Sequence, residues 1–184
     1  MTRAHNLGAL YDARTSGDGI ALIDVLDWEN PRTYSHREIE DAANAVARGL
    51  LKRGLVRGDA VAIVSANRAE FVISFLGIVR AGLVAVPVSH KFPRATIEYV
   101  LKHASVKHVM CDAARRGLVP AGLSVTDYDD ADAFTALLDR GEFSAVRPRA
   151  GETAIVLSRF EGRGGSVSRM MRRISSRPAA SSSF

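Results

Sequence analysis

The residues best suited to chemistry stand late in the chain, in GETAIVLSRFEGRGGSVSRMMRR (151–173). An apolar run there feeds a stretch of glycine, serine and arginine. Such a loop cradles an anion: glycine lets backbone N–H groups close on phosphate oxygens, hydroxyls add donors, and a cation offsets the charge. Phe160 and Glu161 fall inside the stretch, and a carboxylate there opposes phosphate binding. Three readings of the segment compete: a working anion site, a basic tail, and a product that stops short of its own chemistry.

Other reactive residue types are scattered. His36, His90, His103 and His108 show no spacing suited to a metal site or a catalytic triad, and are expected on the surface or in packing roles. Asp129, Asp130 and Asp132 read as a solvated turn and a helix cap rather than a working carboxylate pair. Cys111 is the sole cysteine, which excludes an intrachain disulfide and suits a reducing cytoplasm. It ends an apolar run with nothing adjacent to lower its pKa, so a small buried apolar group is expected. No catalytic, cofactor-binding or metal-ligating residue is assigned on these grounds.

The elements that must position any site come from the hydrophobic pattern. With 184 residues and 47% hydrophobic content, the chain has material for one cored domain plus a tail. The formal charge of +5 lies wholly in residues 158–184, with six arginines and one glutamate; residues 1–157 are neutral, with 19 basic and 19 acidic groups. Basicity therefore says nothing about the folded part. The start, MTRAHNLGALYDARTSG, lacks the apolar core of a signal peptide. FVISFLGIVRAGLVAVPV (71–88) imitates a membrane span, but Arg80 costs about 2.5 kcal/mol or more in lipid. Gly82 and Pro87 also break it, so a helix ending at Gly82 and then a buried strand are expected.

IALIDV (20–25) and RTYSH (32–36) flank the turn residues Asn30 and Pro31 and predict a hairpin. Ser35 and Glu38 form a capping box, and Ile39, Ala43, Val46 and Leu50 repeat at helical spacing up to Gly54. DAVAIVSA (59–66) reads as a strand covered on both faces. Asn67 with Glu70 predicts a second cap, and Phe71, Phe75 and Ile78 carry the next helix. LVAVPV (83–88) is a strand, Pro93 starts a helix through Ile97, Val100, Leu101 and Ala104, and VKHVMCD (106–112) is another strand. Strand and helix alternating at this spacing imply right-handed crossovers and a parallel sheet. LSVTDYDD (123–130) is a weaker strand, ADAFTALLDRG (131–141) a short helix, residues 143–152 a loop, and TAIVL (153–157) a further buried strand.

TYSHREIEDAANAVARGLLKRGLVRGDAVAIVSAN and EFVISFLGIVRAGLVAVPVSHKFPRATIEYVLKHASVKHVMCD together resemble the N-terminal region of the AMP-forming acyl-CoA synthetases, in the adenylate-forming ligase superfamily. The order of Tyr34, Glu38, Gly54, Gly58, Asp59, Val61, Asn67, Gly82, Val86 and Pro87 carries the likeness. Gly54, Gly58, Gly82 and Pro87 are equally explained as helix stops, turns and strand punctuation.

The resemblance implies an α/β fold: the parallel-sheet N-terminal subdomain of the adenylate-forming ligase fold, truncated, over residues 1–157. Residues 158–184 follow as a disordered Ser/Arg-rich tail, with 14 Ser or Arg among 27 residues. It also implies a parent activity: ATP-dependent adenylation of a carboxylic acid, with Mg2+, then transfer of the acyl group to coenzyme A. Lys107 is the last lysine, so neither the phosphate-loop lysine nor the later catalytic lysine of the family is present in these residues. None of these cofactors is therefore expected to bind tightly, and the chain alone is expected to be inactive.

A change of reading frame near Leu157 accounts for the compositional break: if the codon of Arg169 ends in C, another frame across Met170 and Met171 reads Ser-His-Asp-Ala. The rival is a genuine basic segment, with one RGG triplet at Arg163, Gly164 and Gly165, in a non-catalytic binding or assembly module. Nucleic acid is a weak partner for one triplet without interleaved aromatics. Sheet faces left bare by truncation are expected to favour a complementing partner or self-association.

Overall fold

The computed structural model describes residues 6–9, 17–158 and 172–175. Its element order is a 3-10 turn (Leu7–Ala9), β1 (Ile20–Asp24), β2 (Arg32–Ser35), α1 (His36–Lys52), β3 (Ala60–Val64), α2 (Ala69–Arg80), β4 (Val84–Pro87), α3 (Arg94–His103), β5 (Val106–Cys111), α4 (Ala113–Arg116), β6 (Ser124–Asp127), α5 (Ala131–Leu137), β7 (Thr153–Leu157) and β8 (Arg172–Ser175). β1 and β2 pair antiparallel as the expected hairpin. The other six strands form one sheet in the order β6-β5-β3-β4-β7-β8. Its first five strands are mutually parallel and only β8 runs antiparallel.

Period-two side chains divide this sheet between two cores. Val61 and Ile63 of β3, Ala85 of β4 and Met110 of β5 pack with α1 and α2. Ala60, Ala62 and Val64, with Val84 and Val86, pack with Ile97, Val100 and Leu101 of α3. Burial on both faces is why β3 and β4 read as near-continuous apolar runs. β4 lies on one side of β3 and β5 on the other, while α2 and α3 lie on opposite faces. Crossovers of one hand running in opposite directions require that arrangement.

Helix α1 starts where the capping box places it. Ser35 Oγ accepts from the Glu38 N–H, and the Glu38 carboxylate accepts from the Ser35 N–H at 2.7 Å. Ile39, Ala43, Val46 and Leu50 are all essentially inaccessible. α2 ends at Arg80, and Gly82 takes a φ of +73°, a left-handed conformation that favours glycine. Arg80, expensive in lipid, is buried in protein instead: its Nε donates to Gly8 O at 2.7 Å and its Nη1 to Asn44 Oδ1 at 2.6 Å. The first bond straps the N-terminal turn onto α2, and the second ties α2 to α1. Among the described residues, no helix is long and apolar enough to cross a membrane.

One expectation is corrected. Asn67 does not cap α2: Arg68 holds the N-cap position, and the Ala69 N–H is taken by Asp24 of β1 at 3.1 Å. The long-range carboxylate outcompetes the local amide because the hairpin packs against the helix start. Within the Ser/Arg-rich stretch, Arg172–Ser175 pairs with β7, and residues 159–171 and 176–184 lie outside the described residues. Among the described residues, β3 and β4 are covered on both faces. Of the nine exposed large apolar side chains among the described residues, five lie on the hairpin, Ile20, Ile23, Val25, Leu26 and Trp28, the last 79% exposed; the others are Leu7, Val56, Tyr99 and Leu157.

Candidate functional site at the C-terminal edge of the sheet

In an open parallel sheet, ligands bind outside the carboxyl ends of the strands, where neighbouring connections leave to opposite faces. Here that edge is crossed by an ionic network. Arg68, on the loop from β3 to α2, donates Nε to Glu70 Oε2 at 2.7 Å and Nη1 to Asp129 Oδ1 at 2.6 Å, with its guanidinium 5.5 Å from the Tyr128 ring centroid. Arg32 of β2 donates to Asp24 Oδ2 at 2.7 Å and to Glu70 Oε1 at 3.3 Å. Asp24 also accepts the N–H groups of Leu26 and Ala69. Partial burial alone would raise the Asp24 pKa; these N–H donors and Arg32 outweigh it and hold the carboxyl below its usual range.

The second half of the edge is also satisfied from within. Asp112, 3% exposed at the end of β5, accepts the Ala66 N–H at 2.9 Å and both the N–H and the Nη1 of Arg115. Asp129 accepts the Ala113 N–H at 2.9 Å, and Arg68 with that N–H keeps its carboxyl below the usual range. The loop and helix-start amides of Ala66, Ala69 and Ala113, which elsewhere would meet a phosphate, are thus taken by the chain's own carboxylates. These described residues do not fit the triphosphate of ATP. The arrangement is a clamp that joins the hairpin, α2, β5 and β6.

A clamp of this kind predicts a measurable loss. Asp24→Ala removes the cap of α2 and leaves Arg32 with Glu70 alone, at a cost of about 1–2 kcal/mol. A lowered urea midpoint with unchanged helical circular dichroism is the expected result. No shift in midpoint would show that the network is not holding the hairpin.

The opposite side of the edge lies between β4 and β7. β4 leads into Ser89, His90, Lys91 and Phe92, and β7 ends at Leu157 and Ser158. Arg57 helps set this strand in place: it pairs with Glu152 at 2.5 Å and donates to Arg147 O, tying the loop before β7 to the turn before β3. That pairing draws the Glu152 carboxyl down to about 2. The glycine and arginine loop, with Phe160, Glu161, Arg163, Gly164, Gly165, Met170 and Met171, lies outside the described residues.

The four described histidines do not converge. His36 opens α1 and His90 sits on the β4 loop, while His103 stacks on Tyr99 at 5.5 Å. His108 is buried on β5, its ring nitrogens 2.9 Å from Ser124 Oγ and 3.0 Å from Thr126 Oγ1. Burial, with Arg53 nearby, lowers its pKa to about 4. Cys111 is fully buried and burial pushes its thiol up to about 12. Asp130 caps α5 through the Ala133 N–H, as read from the sequence, and Asp129, exposed on the turn, also accepts from Arg68 and the Ala113 N–H. Among the described residues, no group of three His, Cys, Asp or Glu side chains is placed to hold a metal ion. Of the residues carrying the resemblance, Val61 and Val86 are core, Tyr34 is half-buried with the Arg32 guanidinium 5.8 Å from its ring centroid, and Asp59 accepts the Val56 N–H. Asn67 is exposed.

Sequence reasoning missed Asp24, Arg32, Arg68 and Asp112. The signal was present for two of them: Asp24 and Asp112 each close an apolar strand, and a carboxylate there has a helix-start amide within reach.

The fold matches the N-terminal subdomain of adenylate-forming enzymes. The Klebsiella oxytoca NpsA N-terminal subdomain, in complex with 3-hydroxybenzoyl-AMSN, superposes with a TM-score of 0.68 at 24% identity, over 86% of this chain and 38% of that one. In sequence, the AMP-binding enzyme family matches residues 11–159, and the chain belongs to that family. A plipastatin synthase of Bacillus subtilis is 36% identical over 101 residues, which is 55% of this chain and 3% of that protein. An acyl-CoA ligase of Ajellomyces capsulatus is 30% identical over 83 residues, 45% of this chain and 14% of the ligase. The chain therefore spans only a small part of the curated relatives it matches.

Proposed function

We propose that residues 1–157 are the N-terminal scaffold of an acyl-CoA synthetase, which activates a carboxylic acid with ATP and Mg2+ and hands the acyl group to coenzyme A. Residues 158–184 are a separate Ser/Arg-rich tail, and these 184 residues do not complete the reaction by themselves. The observation that carries the reading is the family match across residues 11–159, which covers the whole parallel sheet up to the end of β7. Inactivity of the chain alone is supported by its chemistry. Its four lysines, Lys52, Lys91, Lys102 and Lys107, all precede β7, and the amides of Ala66, Ala69 and Ala113 are engaged by carboxylates. Preorganised cationic donors supply several kcal/mol of the stabilisation that phosphoryl chemistry needs. A cytoplasmic setting suits the lone, buried Cys111.

The test is pyrophosphate release from ATP and Mg2+ with a panel of fatty, aromatic and amino acids. The 184-residue chain is expected to give none above background; acid-dependent release by the chain alone would end the proposal. Mixed with the remainder of an adenylate-forming enzyme, release that requires this chain supports the scaffold role. The plipastatin synthase match favours a second reading, an adenylation domain that passes its product to a carrier-bound thiol. Amino acids would then be the activated substrates in the complemented assay. If no complement restores release, a non-catalytic assembly module is the reading that stands.

A further inference from the structure

We propose that the exposed face of the β1 and β2 hairpin is a docking surface for a second copy of this chain, so that two hairpins meet about a two-fold axis. Ile20, Ile23 and Val25 stand 65%, 54% and 47% exposed along β1 and just past it, and Leu26 and Trp28 carry the patch into the turn. Ala21 and Leu22 pack on the core instead; the register shift between Ile20 and Leu22 accounts for two consecutive inward residues. Apolar side chains scattered singly over a surface need no explanation, whereas a patch gathered on one element marks an interaction site. Its rim carries both signs of charge. Asp18, Asp27 and Glu29 are exposed on the same hairpin as Arg32 and at the foot of it stands Arg37, whose side chains are 50% and 63% exposed. Such a rim offers no single-sign field to a strongly acidic or strongly basic partner, but an isologous contact can set the carboxylates of one copy against the arginines of the other. Interfaces bury about 800 Å² per partner around an apolar centre with a polar rim, and the hairpin supplies both parts. Its sheet has only two strands among the described residues, an arrangement that is marginal alone and gains from a further apolar layer. The surface lies apart from the strand-end network, and the proposal does not depend on the enzymatic reading.

Trp28 is the single tryptophan of the chain, so its fluorescence reports on this face alone. Sedimentation equilibrium of the full 184-residue chain should show a concentration-dependent dimer. Trp28 emission should move to the blue over the same concentration range, as the indole leaves water. Ile23→Lys and Leu26→Asp change side chains that are 54% and 51% exposed, so the circular dichroism should match that of the parent. Each should weaken the dimer by about tenfold or more and return the emission to that of a solvated indole. An emission that is blue at every dilution would show a segment of the same chain lying over the hairpin. A dimer with a solvated Trp28, or one that both variants leave intact, would place the contact elsewhere. Any of these results, or a monomer at every concentration, would overturn the proposal.

Discussion

Gly77→Leu is expected to cost about 3 kcal/mol, the upper end of the usual range for overpacking, and to lower the urea midpoint accordingly. Gly77 lies inside α2 where that helix crosses α1. A Cβ added there would stand 2.7 Å from both Cβ and Cγ1 of Val46 and 2.8 Å from Ala43 O. Intrinsic propensity points the other way, since leucine is a better helix former than glycine by up to about 1 kcal/mol. The clash decides the sign, because one of the opposing atoms is backbone and Val46 is itself fully buried. Gly117→Ala serves as the control: nothing lies within 4 Å of its Cβ position, its φ is −66°, and its midpoint should barely move. A Gly77→Leu midpoint equal to that of the parent would show that the two helices do not approach this closely.

The second large effect is a loss of stability in mild acid. His108 has an ordinary pKa of 6.5 and is lowered to about 4 in the fold, chiefly by burial and then by Arg53. The unfolded chain therefore binds this proton more readily than the folded one. Stability from the neutral ring is fully present above pH 6.5 and declines as pH falls from 6.5 through about 4, by about 3 kcal/mol in total. Most of the slope between pH 6.5 and 4.5 precedes carboxylate titration. His108→Gln, which can still hydrogen bond toward Ser124 and Thr126 but does not titrate there, should flatten it. Denaturant midpoints measured at intervals across that window provide the check, and equal slopes in parent and variant would exclude His108 as the cause.

Much of the scaffold was legible because its signals are local. The Ser35 and Glu38 box needs only three residues of chain, and the Ile39, Ala43, Val46 and Leu50 stripe follows from helical periodicity. β3 and β4 announced burial on both faces by the absence of polar alternation. The edge network was not legible, since the bonds that join its elements connect residues far apart: Arg68 with Asp129 across 61 positions, Asp24 with Ala69 across 45, and Ala66 with Asp112 across 46. A composition count makes these groups ordinary surface charges. Only pairing turns them into a clamp and removes the amides they cover from ligand binding. The same reasoning applies to His108, whose neighbours Ser124 and Thr126 belong to a strand recognised only weakly from its pattern.

By itself, then, the sequence determined the order and kind of the elements, the two-faced parallel sheet, the family resemblance and the lack of lysine beyond position 107. Those properties reside in local periodicity, cap chemistry and residue type, each complete within a few positions of chain. Tertiary structure alone decided that Asp24 rather than Asn67 caps α2, that carboxylates occupy the amides at the strand ends, and that Arg172–Ser175 covers β7. Such outcomes are competitions between partners for one donor or one strand edge, and the winner is set by which groups the folded chain brings within bonding distance.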